Sequence, residues 1–209
     1  DDGRYRYIER VKSSFPNQMR LDGLKVVIDC ANGAGYRAAP EVLWELGAEV
    51  VPVGVSPDGR NINLECGSTS PRIAAETVVA HGADVAICLD GDADRVLVID
   101  EQGCPIDGDH FLGMIGSRWL KEDILAENTL VATVMSNMYL ETFLNREGIK
   151  LVRTTVGDRY VVEQMRLNGF NLGGEKSGHV VMTDYSTTGD GLMAGLQFLA
   201  EMVRRGEPA

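Results

Sequence analysis

A chain of 209 residues, 44% of them hydrophobic, has room for one large or two small globular domains and holds no apolar run long enough to span a membrane. Its 31 acidic residues outnumber 20 Lys and Arg, leaving a net charge of −11. With no basic stripe to hold a polyanion, the charge pattern excludes nucleic acid as a partner, and no membrane partner is expected.

Nothing at the N-terminus resembles a signal peptide, and the chain opens Asp1-Asp2 without an initiator Met, so a fragment of a longer protein is expected. Cys30, Cys66, Cys88 and Cys104 lack paired metal spacing. Cys30 and Cys88 fall inside apolar runs, where thiols act as small core residues, which points to a reduced, cytoplasmic setting.

In chain order, residues 4–19 show helical spacing, with Tyr7, Ile8, Val11 and Phe15 on one face and an end near Pro16. Residues 24–30 form a buried strand. Asn32-Gly33-Ala34-Gly35 then turns into a helix reaching about Leu46, with Gly47 as its stop, and Val50, Val51 and Val53 make the next strand. The turn lacks the third Gly of a dinucleotide fingerprint and is a strand-to-helix connection. Ser56-Pro-Asp-Gly59 is a turn, residues 61–69 are loop-like, and Ser70-Pro71 fits an N-cap followed by Pro at N1 of a helix to about Ala80.

Two apolar runs, Val85 to Leu89 and from Val96 onward, then flank Asp90-Gly-Asp-Ala-Asp-Arg95. The acidic turn sits where two strands meet at a sheet edge. Carboxylates about 4 Å apart repel by roughly 4 kcal/mol per pair at an effective dielectric of about 20. A divalent cation converts that repulsion into coordination, and hard oxygen donors suit Mg²⁺ or Ca²⁺ rather than Zn²⁺. An EF-hand would place Gly where Arg95 stands and would be flanked by helices. A haloacid-dehalogenase-type phosphotransferase also sets Asp-x-Asp after a strand, but normally continues to Thr or Val where this chain has Asp94. A solvated acidic hairpin is the plain alternative, and Arg95 argues against it, because a cation beside a metal site is how phosphate is held.

After a linker near residues 103–108 the pattern repeats. Residues 109–125 are helical, 130–135 a strand, 139–147 a helix and 151–155 a strand. Val26-Val-Ile-Asp-Cys-Ala-Asn32 and Val131-Ala-Thr-Val-Met-Ser-Asn137 hold matching places before a helix. The fold class is therefore α/β, with two consecutive similar domains, each a mixed, mostly parallel sheet with covering helices. Thr154-Thr-Val-Gly-Asp-Arg-Tyr160 lies between strand and helix, where open α/β sheets bind ligands; a plain cap at Asp158 and a surface role for Arg159 fit equally well. In Asn171-Leu-Gly-Gly174-Glu175-Lys176-Ser177-Gly-His179 the glycines admit close approach, Glu175 and Ser177 suit vicinal hydroxyls, and His179 adds an imidazole. Residues 192–203 form a helix whose Met193, Leu196, Leu199 and Met202 are core contacts. His81 is expected to be solvated, and His110, beside Asp107 and Asp109, is a weak site candidate.

Asp90-Gly-Asp-Ala-Asp-Arg95 resembles the metal loop of the α-D-phosphohexomutases, which move a phosphoryl group between positions 1 and 6 of a hexose. Gly174-Glu-Lys-Ser-Gly-His179 resembles that family's sugar-binding loop. The resemblance covers essentially the whole chain and is strongest to the glucosamine-acting branch, to which Val156-Gly-Asp-Arg-Tyr160 and Thr183-Asp-Tyr-Ser-Thr-Thr-Gly-Asp-Gly191 are also similar. That branch often carries Gln or Asn where this chain has Lys176, and mannose- or glucose-acting relatives often carry Met.

The resemblance implies a reversible mutase that works through a phosphoserine and a 1,6-bisphosphate intermediate. Mg²⁺ would be held by Asp90, Asp92 and Asp94, and Arg95 would offset charge on the transferring group. Glu175 and Ser177 would hold the 3- and 4-hydroxyls, with Gly174 and Lys176 in the same substrate loop and His179 near the reacting oxygen. The implied substrate is a hexosamine phosphate, glucosamine 6-phosphate or 1-phosphate, feeding UDP-N-acetylglucosamine and cell-wall synthesis. Residues 1–105 and 106–209 would be the second and third of four domains. The N-terminal phosphoserine domain and C-terminal phosphate-binding domain would lie outside this chain, which alone would have negligible activity. The alternatives are a mannose- or glucose-acting member, a haloacid-dehalogenase-type phosphatase with Asp90 as nucleophile, and a non-catalytic sugar-phosphate-binding module.

Overall fold

In the computed structural model, which describes residues 2–209, the short β-branched runs become strands of two separate sheets. The first compact unit begins with helix α1 (Asp2–Ser13) and strand β1 (Lys25–Asp29). Helix α2 (Ala38–Glu45), β2 (Glu49–Val53), α3 (Arg72–His81), β3 (Val85–Leu89), β4 (Val96–Asp100) and β5 (Pro105–Ile106) follow. The sheet order is β2-β1-β3-β4-β5. β1 pairs in parallel with β2 and β3, while β3–β4 and β4–β5 are antiparallel. Alternation along β3 fixes its two faces. Ala86 and Cys88 join Val27, Ile99, Ala74 and Val78 in the core beneath α3, and Ile87 faces the other way.

The second unit, Asp107–Asp190, holds α4 (Gly108–Lys121), β6 (Thr129–Thr133), α5 (Met138–Glu147), β7 (Lys150–Thr154), α6 (Asp158–Asn168), β8 (Leu172–Gly174) and β9 (Val180–Met182). Its sheet runs β7-β6-β8-β9, with β6 parallel to β7 and β8 and with β8–β9 antiparallel. This is the first sheet's order without β5, so the repeat read from the sequence is a repeat of topology. Val131, Val161, Met165 and Val181 form a core under α6. Asp107 caps α4 by accepting from Asp109 N, and Asn137 caps α5 by accepting from Leu140 N at 2.9 Å.

The last helix, α7 (Gly191–Arg205), belongs to the first unit. Its Gly195 lies against Ile87, whose Cγ2 would be 2.8 Å from an added Cβ, so α7 covers the face of β3 that α3 leaves open. The grouping therefore differs from a division at 105/106: residues 191–209 return to the first sheet.

Other expectations shift locally. α1 stops at Ser13 because Phe15 precedes Pro16, and a residue before Pro is pushed out of the helical region. α3 starts at Arg72 with Pro71 at the N-cap and no side-chain cap bond, so Ser70 does not cap it. The expected linker contains β5, whose Ile106 and Pro105 pair with Val98 and Ile99 at the sheet edge, a position that tolerates Pro.

Candidate functional site

The acidic loop is the turn of the β3–β4 hairpin, at the carboxyl end of the first unit's parallel strands. Its edge is that of the strand ends, since β5 flanks β4. Asp90, Asp92 and Asp94 each bring a carboxylate oxygen within 4.8 Å of the others. Metal–oxygen distances of about 2.1 Å for Mg²⁺ and about 2.4 Å for Ca²⁺ put two ligands of one ion at most about 4.2 and about 4.8 Å apart, so the donor set is close to what a hard divalent cation requires. Asp90 is buried, and its Oδ1 accepts from Arg95 N at 3.1 Å. The Arg95 Nε lies 3.9 Å from both Asp90 Oδ2 and Asp94 Oδ1. Burial pushes the Asp90 carboxyl up to about 6, and Asp94 and Asp92 push the same way against the opposing Arg95 N–H bond. Strands rather than helices flank the loop, which removes the EF-hand reading.

Backbone contacts set the loop's shape. Ala34 N donates to Gly91 O at 2.8 Å, and a Cβ on Gly33 would lie only 2.1 Å from that oxygen. The Asn32-Gly33 turn is thus a strand-to-helix connection and also a brace for the acidic loop. On the opposite side Gly191 N, the first amide of α7, donates to Ala93 O at 2.9 Å, and Ala93 itself takes φ +63°. The sequence reading missed both braces and the fully buried Asp29 at the end of β1. Gly33 in Asn-Gly-x-Gly and the lone Asp closing an apolar strand were the available signals.

The second unit carries its polar loop at the equivalent hairpin, between β8 and β9. Glu175 N donates to His179 O at 2.9 Å and Gly178 N to Glu175 O at 3.0 Å, closing a tight turn. Gly174 admits this closeness, since a Cβ there would be 2.7 Å from His179 O. Glu175 Oε1 accepts from Gly157 N at 2.9 Å, and Ser177 Oγ is 3.4 Å from Glu175 Oε2. Residues 154–160 therefore act on the polar loop through Gly157, which has φ +128° and caps α6 while Asp158 opens the helix. Arg159 stacks over the Tyr160 ring at 5.0 Å.

Lys176 turns to Asp107 rather than alongside Glu175, its Nζ 3.1 Å from Asp107 Oδ2. Burial alone would raise the Asp107 carboxyl, but the Asp109 N–H and the Lys176 ammonium outweigh it and hold Asp107 below the usual carboxylate range. His179 is a buried side chain, only 3% exposed. His110 stacks edge-on against Tyr139, and His81 is exposed at the end of α3. The structure thus gathers Asp90, Asp92, Asp94 and Arg95 in one unit and Gly174, Glu175, Lys176, Ser177 and His179 in the other.

Two models of one family match the chain. Residues 5–103 match phosphoglucomutase/phosphomannomutase alpha/beta/alpha domain II, and residues 107–209 match domain III. Over its whole length the chain is 72% identical to a phosphoglucosamine mutase of Ruegeria sp. (strain TM1040), of which it covers 47%. The chain spans about half the length of the curated relatives it matches. Among solved structures, a phosphoglucomutase/phosphomannomutase family protein from Burkholderia thailandensis superposes with TM-score 0.84 at 26% identity, covering 96% of this chain and 44% of that one. The Aspergillus fumigatus N-acetylphosphoglucosamine mutase, solved with GlcNAc-6P and magnesium, shares the fold with TM-score 0.74 at 19% identity, covering 97% of this chain and 51% of that one.

Proposed function

Because the chain belongs to the phosphoglucomutase/phosphomannomutase family and comprises its domains II and III, we propose that it is the middle half of a phosphoglucosamine mutase that interconverts glucosamine 6-phosphate and glucosamine 1-phosphate. The observation that carries this reading is the convergence of three carboxylates within 4.8 Å beside Arg95. A crowded acidic turn with an adjacent guanidinium suits a cation and a phosphoryl group together better than either alone.

Asp90, Asp92 and Asp94 would hold Mg²⁺, which when bound supplies a Lewis acid for a phosphoryl oxygen. Arg95, within ion-pair reach of Asp90 and Asp94, offsets charge on the transferring group. Glu175 and Ser177 bind the sugar as an acceptor and a hydroxyl on one turn, with Glu175 held in place by the Gly157 N–H. A grip on vicinal hydroxyls tolerates either end-to-end orientation of the sugar, which a mutase requires. His179 lies in the same turn as the candidate proton carrier. The phosphoserine and the final phosphate site would come from domains outside this chain, and a reduced cytoplasmic setting fits the free thiols.

Turnover by the full-length protein with glucosamine 6-phosphate, mannose 6-phosphate and glucose 6-phosphate tests the assignment. Glucosamine 6-phosphate is expected to give the highest kcat/KM, and preference for mannose or glucose phosphate overturns the glucosamine assignment. The 209-residue chain alone is expected to show no turnover, and full activity from it overturns the half-enzyme reading.

A further inference from the structure

Asp29 closes β1 at the carboxyl end of the first unit's sheet and is fully buried. Its two oxygens are both committed to backbone amides: Oδ1 accepts from Ala31 N at 2.9 Å and Oδ2 from Gly67 N at 2.7 Å. Gly54 presses on the same carboxylate, for a Cβ there would be 2.7 Å from Oδ1. The next amide along, Ser68 N, donates to Leu89 O at 2.9 Å, and Leu89 directly precedes Asp90. A Cβ on Gly67 would be 2.6 Å from that same Leu89 oxygen. Nearby, Asn63 N donates to Ala31 O at 2.9 Å, and Ile62 and Asn63 close on Gly91 so tightly that a Cβ there would lie 2.7 Å from each.

We propose that Asp29 is a positioning residue for the metal loop: its carboxylate clamps residues 61–70 against Leu89 and Gly91 and so fixes where Asp90, Asp92 and Asp94 stand. The inference rests on the reading of that loop as a divalent-cation site. Three carboxylates that repel one another need restraint from outside the turn, and hydrogen bonds within the turn do not supply it. A buried carboxylate is costly unless its oxygens are filled by donors, and an apolar residue at position 29 would strand the amides of Ala31 and Gly67. Charge-assisted bonds to these two amides are short and directional, which suits a clamp rather than filler. Asp29 reaches neither substrate nor cation; it acts through Gly67, Ser68 and Leu89.

Mn²⁺ titration of the full-length protein, followed by electron paramagnetic resonance, tests the clamp. Asp29→Asn keeps the shape of the side chain but sets an NH₂ group against one of the two amide donors. It is expected to weaken Mn²⁺ binding by about 10- to 100-fold, the range typical of residues that orient ligands from behind. An Asp29→Asn chain that folds cooperatively and binds Mn²⁺ as tightly as the unaltered one overturns the proposal. If the unaltered full-length protein binds no Mn²⁺, the cation reading itself fails, and the clamp with it. Should Asp29→Asn not fold, reciprocity decides the matter in the unaltered chain, since a clamp that favours the bound cation is itself tightened by it. Saturating Mg²⁺ is then expected to slow amide exchange at Gly67 and Ser68, but not in Asp92→Asn. Bound Mg²⁺ with unchanged exchange at both amides overturns the proposal.

Discussion

Protonation of Asp90 is the most direct chemical control on the acidic loop. Its carboxyl rises from 3.8 to about 6, so between those values the folded chain keeps a proton that the unfolded chain has released. The unfolded state then binds fewer protons, and without a cation the fold loses stability as pH rises through that window. A divalent cation competes with the same proton. Mg²⁺ affinity should therefore climb with pH up to about 6 and level off above it, as calorimetric titration on either side of that value would read. Affinity independent of pH throughout would remove Asp90 from the ligand set. Gly33→Ala tests the brace from the other side. Its Cβ would stand 2.1 Å from Gly91 O, so either the loop or the turn must move. We expect a stability loss of about 1–3 kcal/mol by chemical denaturation, with weakened Mg²⁺ binding. At this scale the triad was legible because like charges at alternate positions need a local reason. The braces were not, because a glycine's purpose depends on which oxygen faces it across the fold.

The hairpin from β8 to β9 and the first turn of α4 show how much an element depends on contacts distant in sequence. Lys176 meets Asp107, and a Cβ on Gly108 would lie 2.3 Å from Lys176 O. The ion pair is exposed, so Lys176→Met is expected to leave stability nearly unchanged and to change hexosamine-phosphate affinity little. Glu175→Ala removes the carboxylate that Gly157 holds. In the full-length protein it is expected to weaken sugar-phosphate binding by about 1.5–3 kcal/mol in calorimetry, the scale of a hydrogen bond to a charged group. Equal effects of the two changes would place Lys176 on the sugar as well. Strand and helix identities were legible from periodicity, since β-branched runs and 3.6-residue stripes are local. Ends were less so. Ser70 resembled a cap yet Pro71 takes the position, and the edge strand β5 passed for a linker because two residues carry no period.

For the whole chain, the return of α7 to the first sheet is the feature that sequence order hides. Its apolar stripe announced core contacts, but a stripe does not say which sheet it covers; Gly195 against Ile87 does. Truncation after Asp190 should therefore raise amide exchange in β3 and β4 while leaving β6 and β8 protected. Faster exchange in β6 and β8 instead would assign α7 to the other core. The repeat itself was legible, because Val26 to Asn32 and Val131 to Asn137 begin the same strand-turn-helix passage. Less visible was that both polar loops occupy one hairpin, between the last parallel strand and its antiparallel neighbour. That corner can lengthen or change chemistry without altering strand order or any covering helix. On the proposed function, each unit can therefore take its own ligand by rewriting a single turn, a cation at one and a polyol at the other, while the framework of both stays the same.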